Sequence, residues 1–156
     1  MKLSRRARYA LRMMVSIVRQ TNGSQVVSLS SIAEETSMSR RYMEQLAISL
    51  KNASLIVGVS GKGGGYMLAR PASQIMVDQI VEAAIGPINV VECVGQPELC
   101  MLSDECECRW LYERINQRVT NALSEFSLAE LADKYWPRVE SEKEVYGEIA
   151  RPKGKC

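Results

Sequence analysis

Four of the five cysteines lie within one sixteen-residue stretch, and they are the side chains best able to do chemistry in this chain. The stretch is CVGQPELCMLSDECEC, residues 93–108, and the chain contains no histidine. Clustered cysteines can form disulfides, hold a structural zinc ion or bind an iron–sulfur cluster. The residues alone leave all three chemistries open. The candidate ligands are Cys93, Cys100, Cys106 and Cys108.

The composition argues against a disulfide framework. A chain of 156 residues that is 46% hydrophobic can bury a core without covalent crosslinks, which are typical of short secreted domains. Basic residues interrupt the apolar N-terminal segment, so it does not resemble a signal peptide. No stretch reaches the roughly 20 apolar residues of a membrane helix. We therefore expect a cytoplasmic protein in a reducing compartment, with no membrane partner.

Charge is divided unevenly along the chain. Residues 1–70 contain eleven Lys and Arg against three Glu, whereas residues 71–156 contain nine against fifteen acidic residues. The net charge of +8 in the first half favours a module that binds a polyanion, with nucleic acid preferred over a merely solvated surface.

Apolar spacing in the basic half predicts three helices. The first ends at a turn signal, residues 21–24. The second has Ser28 or Ser31 as its N-cap, and Ser39 caps the third after a tight turn at residues 37–39. Two short helices separated by such a turn form a helix-turn-helix pattern. The predicted apolar face of the first helix consists of Leu3, Ala7, Ala10, Leu11, Met14 and Val18.

In a helix-turn-helix, the N-terminal part of the second helix enters the major groove of DNA. Arginine can bond two acceptors of guanine, glutamine can pair with adenine, and glutamate can accept from the amino group of cytosine. The outer side chains of the third predicted helix suit this role, so we expect it to be the recognition helix. Its expected DNA-binding residues are Ser39, Arg40, Arg41, Tyr42, Glu44 and Gln45.

A glycine-rich hairpin follows the third helix. Residues 55–60 and 66–69 are predicted to form two short strands, and a hairpin in this place is the wing of a winged helix. Its tip does not match a Walker A loop, because Lys62 precedes the glycines and no Ser or Thr follows. We expect Lys62 at the tip to contact DNA phosphates, together with Arg5 and Arg8 of the first helix.

The second half of the chain predicts further helices. Residues 74–85 form a short helix that ends at Gly86, and a long amphipathic helix spans residues 109–124. We expect the apolar side of the long helix to pack on a second copy of the chain or on the first helix. Ser127 and Glu130 predict a capping box at the start of a last short helix.

These elements predict a mainly α fold with a small β-hairpin wing, a winged helix-turn-helix followed by a long dimerisation helix. We expect four parts in the chain. They are a DNA-binding domain at 1–70, a connecting helix and cysteine loop at 71–108, a dimerisation helix with a short packing helix at 109–136, and a charged flexible tail at 137–156.

Together, these motifs resemble a known family. The opening MKLSRRARYALRMM, the run S-x-R-Y-M-E-Q-L at 39–46, the wing G-K-G-G-G-Y at 61–66 and a cysteine loop ahead of a long helix are similar to the bacterial winged-helix regulators of the Rrf2 family, typified by IscR and NsrR. The resemblance implies a homodimeric transcription factor, commonly a repressor and not an enzyme, on an imperfectly palindromic double-stranded DNA operator. Many members bind an iron–sulfur cluster, [2Fe-2S] or [4Fe-4S], and respond to cluster status, redox state or nitric oxide.

The resemblance also assigns individual residues. Cys93, Cys100 and Cys106 match the three cluster cysteines of the family, and Ser60 occupies a wing position where relatives often have arginine. The fourth ligand departs from the family, because this chain lacks both a histidine and an acidic residue in its first helix. We expect Cys108 in that role, with alternatives in Cys156 and then Glu105 or Glu107.

Two other uses of the loop stay open. One is a metal-free thiol–disulfide switch on the same fold, since exposed thiols of low pKa oxidise reversibly. The other is a zinc-binding structural loop, although the spacing of the cysteines fits the closely paired zinc patterns poorly.

Overall fold

The computed structural model of the protein describes residues 3–21, 25–101 and 105–133. It is a winged helix followed by a helical second half. The first three helices are α1 (Arg5–Thr21), α2 (Leu29–Thr36) and α3 (Arg40–Asn52). The wing consists of β1 (Ile56–Val59) and β2 (Gly65–Leu68). The remaining helices are α4 (Val77–Ile85), α5 (Glu92–Gly95), α6 (Arg109–Ser124) and α7 (Leu128–Ala132), with short 3₁₀ turns at Ala72–Gln74 and Pro97–Leu99.

Serine caps fix the helix-turn-helix. Of the two serines that the sequence offered for α2, Ser28 is the cap, and its hydroxyl accepts a hydrogen bond from the backbone N–H of Ser31 at 3.1 Å. Ser37 ends α2 in the left-handed conformation, with φ of 55°. Ser39 then caps α3 as predicted, accepting from the N–H of Tyr42 at 3.4 Å. These caps turn the chain sharply, so that α3 starts immediately after α2.

The two wing strands pair antiparallel, and the segment just before α2 is hydrogen-bonded to β2. The predicted strands at 55–60 and 66–69 are confirmed to within one residue at each end. Val27, just before α2, exchanges backbone hydrogen bonds with Tyr66 at 2.8 and 2.9 Å. A side chain at Gly65 would collide with the backbone of Val27, so glycine is needed there for the close approach. The base of the wing is therefore fixed to the helix-turn-helix.

The helix predicted at 74–85 begins later than expected. Residues 72–74 form a separate 3₁₀ turn, and Ile75 and Met76 are extended. Ile75 accepts a backbone hydrogen bond from Leu128 at 2.7 Å, and Val77 donates one to Phe126 at 2.9 Å. This pairing with the segment before α7 holds the chain out of the helix. The other two predictions in this half, α6 at 109–124 and the capping box of Ser127 with Glu130, are confirmed.

The main hydrophobic core joins the winged helix to α4 and α7, and a second, smaller cluster links α1 to α4. The predicted apolar face of α1 was partly wrong, because Met13 and Ile17 are fully buried whereas Leu3 is 41% exposed. The reason is that α1 packs against α2, α4 and α7 together, so it buries more than one stripe. The largest fully buried side chains are Met13, Met14, Ile17, Ile32, Met43, Leu46, Leu50, Leu55, Ile56, Ile75, Ile80 and Leu128.

Within the described ranges, no helix is both long and apolar enough to span a membrane. The end of the last predicted helix, residues 134–136, and the predicted tail at 137–156 lie outside the described residues.

Candidate DNA-binding surface and cysteine loop

Packing fixes which side of α3 faces outward. Four apolar side chains on its inner side are buried, namely Met43, Leu46, Ala47 and Leu50. The opposite side presents Arg41, Gln45 and Ile48, all exposed. Two of these three are predicted base-contacting residues, so the orientation of α3 agrees with a recognition helix. Ile48 was not singled out from the sequence, because its apolar side chain was not expected on a polar face.

The side of α3 next to the wing carries a charged pair. The Nε of Arg40 donates to Oε1 of Glu44 at 3.3 Å, and both side chains are exposed. Together with Lys51 and the wing residues Ser60 and Gly61, they line one open groove. This groove brings two predicted elements, the recognition helix and the wing, onto one continuous polar surface.

The wing tip is fully accessible. Lys62 is exposed between Gly61 and Gly63, which adopt positive φ values of 100° and 83°. Glycine reaches such values without steric cost, so the tip can turn tightly around the lysine. Its ammonium group is therefore accessible, as the predicted phosphate contact requires.

The side of α3 next to α1 is held by an aromatic contact. Tyr42 packs edge to face on Tyr9 of α1, with ring centroids 5.6 Å apart and planes at 85°. Tyr42 is therefore half-buried and supports the helix as well as facing the surface. On α1, Arg5 and Arg8 are exposed next to Tyr9, and Arg12 lines the same cleft. Arg12 follows the i, i+3, i+7 spacing of an outer helical row, a signal that makes it a further candidate phosphate contact.

Arg6 connects the recognition helix to the helix that precedes the cysteine loop. Its Nε donates to the backbone carbonyl of Ala84 near the end of α4 at 2.6 Å. Its Nη2 donates to the hydroxyl of Ser49 in α3 at 2.7 Å. Sequence reasoning missed this role because Arg6 stands among several arginines and its partners lie 43 and 78 positions away.

The cysteine loop begins where α4 ends at Gly86. Cys93 lies in α5, Cys100 follows the Pro97–Leu99 turn, and Cys108 occupies the N-cap position of α6. The amide of Val90 donates to the side-chain oxygen of Asn116 at 2.9 Å, which attaches the loop to α6. Cys93, Cys100 and Cys106 are partly buried, Cys108 is exposed, and these four are not joined in disulfides.

Tyr112, in the first turn of α6, lies next to Cys108, because its backbone N–H donates to the Cys108 carbonyl at 3.0 Å. Electrostatic repulsion from Cys108 and a hydrogen bond to its side chain raise the pKa of Tyr112 above its ordinary value. Cys106 and Cys93 act in the same direction.

The donor set fits an iron–sulfur cluster in chemistry, since thiolates are its usual ligands. In the part of the chain that the structure describes, no three Cys, Asp or Glu side chains come close enough together to hold a metal ion. Residues 102–104, between Cys100 and Cys106, lie outside that part. Binding a cluster would therefore require the thiols to draw closer than they lie here.

One face of α6 is left uncovered by the other residues that the structure describes. None of its sixteen residues is buried, and Leu111 and Ile115 are 49% and 39% exposed. Ala122, also exposed, continues the same face at i+11 from Leu111. Trp110, 68% exposed, packs under the guanidinium of Arg114 at 5.6 Å. A helix with an exposed apolar row of this kind is typical of helices that pack against another surface.

The fold and the α3 surface define a winged-helix DNA-binding regulator of transcription. Residues 3–134 match the Rrf2 family, described as iron-dependent transcriptional regulators, and the chain belongs to this family. It is therefore a transcriptional regulator and not an enzyme.

Curated relatives agree with this assignment. An HTH-type transcriptional regulator of Haemophilus influenzae is 38% identical over 134 residues, which cover 86% of this chain and 88% of that protein. The regulator IscR of Photorhabdus laumondii is 33% identical over 133 residues, covering 85% of this chain and 80% of that protein.

Among solved structures, the chain is similar both to a CymR protein and to an IscR protein. The oxidized form of CymR from Staphylococcus aureus is similar with a TM-score of 0.65 and 34% identity, over 85% of this chain and 97% of that one. IscR from T. potens is similar with a TM-score of 0.64 and 25% identity, over 97% of this chain and 94% of that one.

Proposed function

We propose that this regulator is a homodimeric repressor whose cysteine loop binds an iron–sulfur cluster, and that the state of the cluster sets its affinity for the operator. The observation that supports this most directly is the placement of Cys93, Cys100, Cys106 and Cys108, none of them in a disulfide, in one loop between the winged helix and α6. Likeness to proteins named IscR adds support.

Four thiolates form the proposed ligand set, Cys93, Cys100, Cys106 and Cys108. Cys108 is the fourth ligand in this proposal because it is exposed at the N-cap of α6, two residues after Cys106, and the chain has no histidine. When bound, the cluster supplies a redox-active group whose potential depends on hydrogen bonds to its sulfurs. The Tyr112 phenol is placed to donate such a bond.

The uncovered face of α6 supports a dimer. Leu111, Ile115 and Ala122 would pack against the same residues of a second copy, as in an isologous two-fold interface. A two-fold dimer presents two recognition helices about 34 Å apart, one helical turn of DNA. We therefore propose an imperfect palindrome as the operator.

On each half-site, Arg41 and Gln45 are the proposed readers of base edges, because they stand on the outward side of α3. The other predicted contacts lie around them and suit the phosphate backbone, which sets affinity and salt dependence. These are Ser39, Arg40, Tyr42, Glu44, Ser60, Lys62, Arg5 and Arg8.

Contacts within the chain supply a route between loop and DNA. The loop starts at the end of α4, where Arg6 bonds the Ala84 carbonyl with one nitrogen and Ser49 of α3 with another. Any shift of α4 that follows closure of the loop would therefore move the end of α3 with it. In this way a change at the thiols can alter the position of α3 relative to α4, and DNA bound to α3 can in turn affect the loop.

The test is to compare operator binding by the two forms of the protein. The full chain is purified anaerobically, its iron and sulfide are measured, and operator affinity is determined before and after removal of iron with a chelator. We expect the affinities to differ by about 5- to 150-fold, the range of ordinary allosteric coupling. Equal affinities would contradict cluster sensing and leave DNA binding intact.

A second candidate is a metal-free thiol switch. It is favoured by the likeness to the oxidized form of S. aureus CymR and by the exposure of the thiols, of which Cys108 is exposed and the other three are partly buried. On this alternative, an iron-free protein would still change its operator affinity on oxidation, and the change would reverse with a dithiol reductant. Zinc in place of iron, with no redox response, would instead support a structural loop.

Alanine at Arg41 or Gln45 is expected to weaken operator binding by about 5- to 150-fold, because each bidentate base contact is worth about 1–3 kcal/mol. Binding to random duplex should change little. Lys62→Ala is the matched control, since loss of a phosphate contact weakens binding on every sequence and lowers the salt slope by about one. Fluorescence anisotropy on operator and random duplexes measures both. An equal loss on both duplexes for Arg41→Ala would contradict base reading.

A further inference from the structure

Ile48 is the only apolar side chain on the outward face of α3, and it is 54% exposed. A single exposed isoleucine needs no explanation on an ordinary protein surface. This one, however, lies on the helix face that carries the two proposed base-reading residues.

Helix geometry brings Ile48 into line with them. It follows Arg41 by seven residues, so the two side chains point within about 20° of each other. It follows Gln45 by three residues, about 4.5 Å along the helix axis, little more than one base-pair step of about 3.4 Å. A helix lying in the major groove with Gln45 at a base edge would therefore present Ile48 to a neighbouring base pair.

On both sides of the outward face of α3, side chains are engaged in contacts within the chain, whereas the face itself is exposed. Towards the wing, Arg40 pairs with Glu44. Towards α1, Tyr42 packs on Tyr9 and Ser49 accepts from Arg6. Ile48 lies between these two sets of contacts. It is on the side of α3 opposite the buried residues that face the core.

We propose that Ile48 is a specificity residue that reads thymine, by packing on its 5-methyl group in the major groove. Thymine is the base that presents an apolar group on its major-groove edge. A methyl group seated against isoleucine leaves water, whereas cytosine or uracil at that position leaves the side chain facing a polar edge. The proposal rests on α3 being the recognition helix and does not depend on the cluster.

The test uses deoxyuridine, which differs from thymidine by that methyl group alone. An operator is selected from a random duplex library with the full-length protein, and each thymine is then replaced singly by deoxyuridine. We expect one symmetric pair of positions at which the loss of the methyl group weakens wild-type binding by about three- to tenfold. In Ile48→Ala, the same replacement should have no effect.

Ile48→Val is the matched control, because it keeps an apolar branched side chain and should retain most of the deoxyuridine effect. Alanine is a better helix former than isoleucine, so Ile48→Ala should fold, which its unfolding temperature checks. If no thymine position depends on residue 48, the proposal is overturned while recognition by α3 stands. If the protein selects no operator, both the proposal and the recognition-helix assignment are overturned.

Discussion

Exchange of Cys106 for serine is expected to leave a protein without bound iron or sulfide after anaerobic purification. Serine has nearly the size of cysteine but lacks the soft sulfur donor that iron–sulfur clusters require. Cys106 is only partly buried and lies outside the hydrophobic core, so the unfolding temperature of the metal-free form should change little. The variant should bind the operator with the affinity of metal-free wild-type protein, whatever the iron supply.

Two further serine variants identify the fourth ligand. If Cys108 has that role, Cys108→Ser should lose the cluster or bind it weakly, whereas Cys156→Ser should keep it. The reverse result would move the fourth ligand to the C-terminal cysteine. Visible absorption together with iron, sulfide and zinc analysis distinguishes the cases. Full iron and sulfide content in Cys106→Ser would contradict the proposed ligand set.

Exchange of Ile115 for glutamate is expected to convert a dimer into monomers and to weaken operator binding by at least about 100-fold. A two-fold interface contains each residue twice, so one substitution places two carboxylates in the same apolar contact. A monomer reaches only one half-site and loses the gain in affinity of about 10²–10⁴ that two linked sites provide. Ile115 is 39% exposed in the single chain, so its fold should survive the charge.

Gln117→Glu is the control for this experiment. It introduces the same charge two residues further along α6, on the side where Gln117 donates to Asn121 at 2.6 Å. This variant should remain dimeric. Sedimentation equilibrium at micromolar concentration measures the assembly, and anisotropy measures the operator affinity. A dimeric Ile115→Glu protein with wild-type affinity would rule out this face of α6 as the interface.

Local patterns predicted the elements that depend on local contacts. The limits of α6 follow from its periodic charges and apolar residues, and the caps at Ser39 and Ser127 follow from hydroxyls that bond amides three residues on. The wing strands also follow from their own sequence and turn. In each case the interacting groups are close neighbours in the chain, so short spacing contains the necessary information.

What the sequence did not predict depends on distant partners. Ile75 fits a helical period, yet it is held extended by pairing with Leu128, more than fifty positions away. Met13 and Ile17 of α1 are buried because other helices pack around α1. The periodicity of α1 alone does not show how many helices will pack against it. The same holds for the candidate site. The outward side of α3 was predicted, but Arg6 acquires its partners, Ala84 and Ser49, only in the folded chain.

The attachment of the wing to Val27 bears on how such regulators can diverge. Because Gly65 and Tyr66 lie against Val27, the base of the hairpin keeps its position whatever the tip carries. Ser60 and Lys62, by contrast, are exposed and belong to no part of the core. Mutations at these two positions can therefore accumulate without a stability penalty. Substitutions at the tip can therefore change the affinity for an operator, in evolution or by engineering, while the fold of the rest of the molecule stays the same.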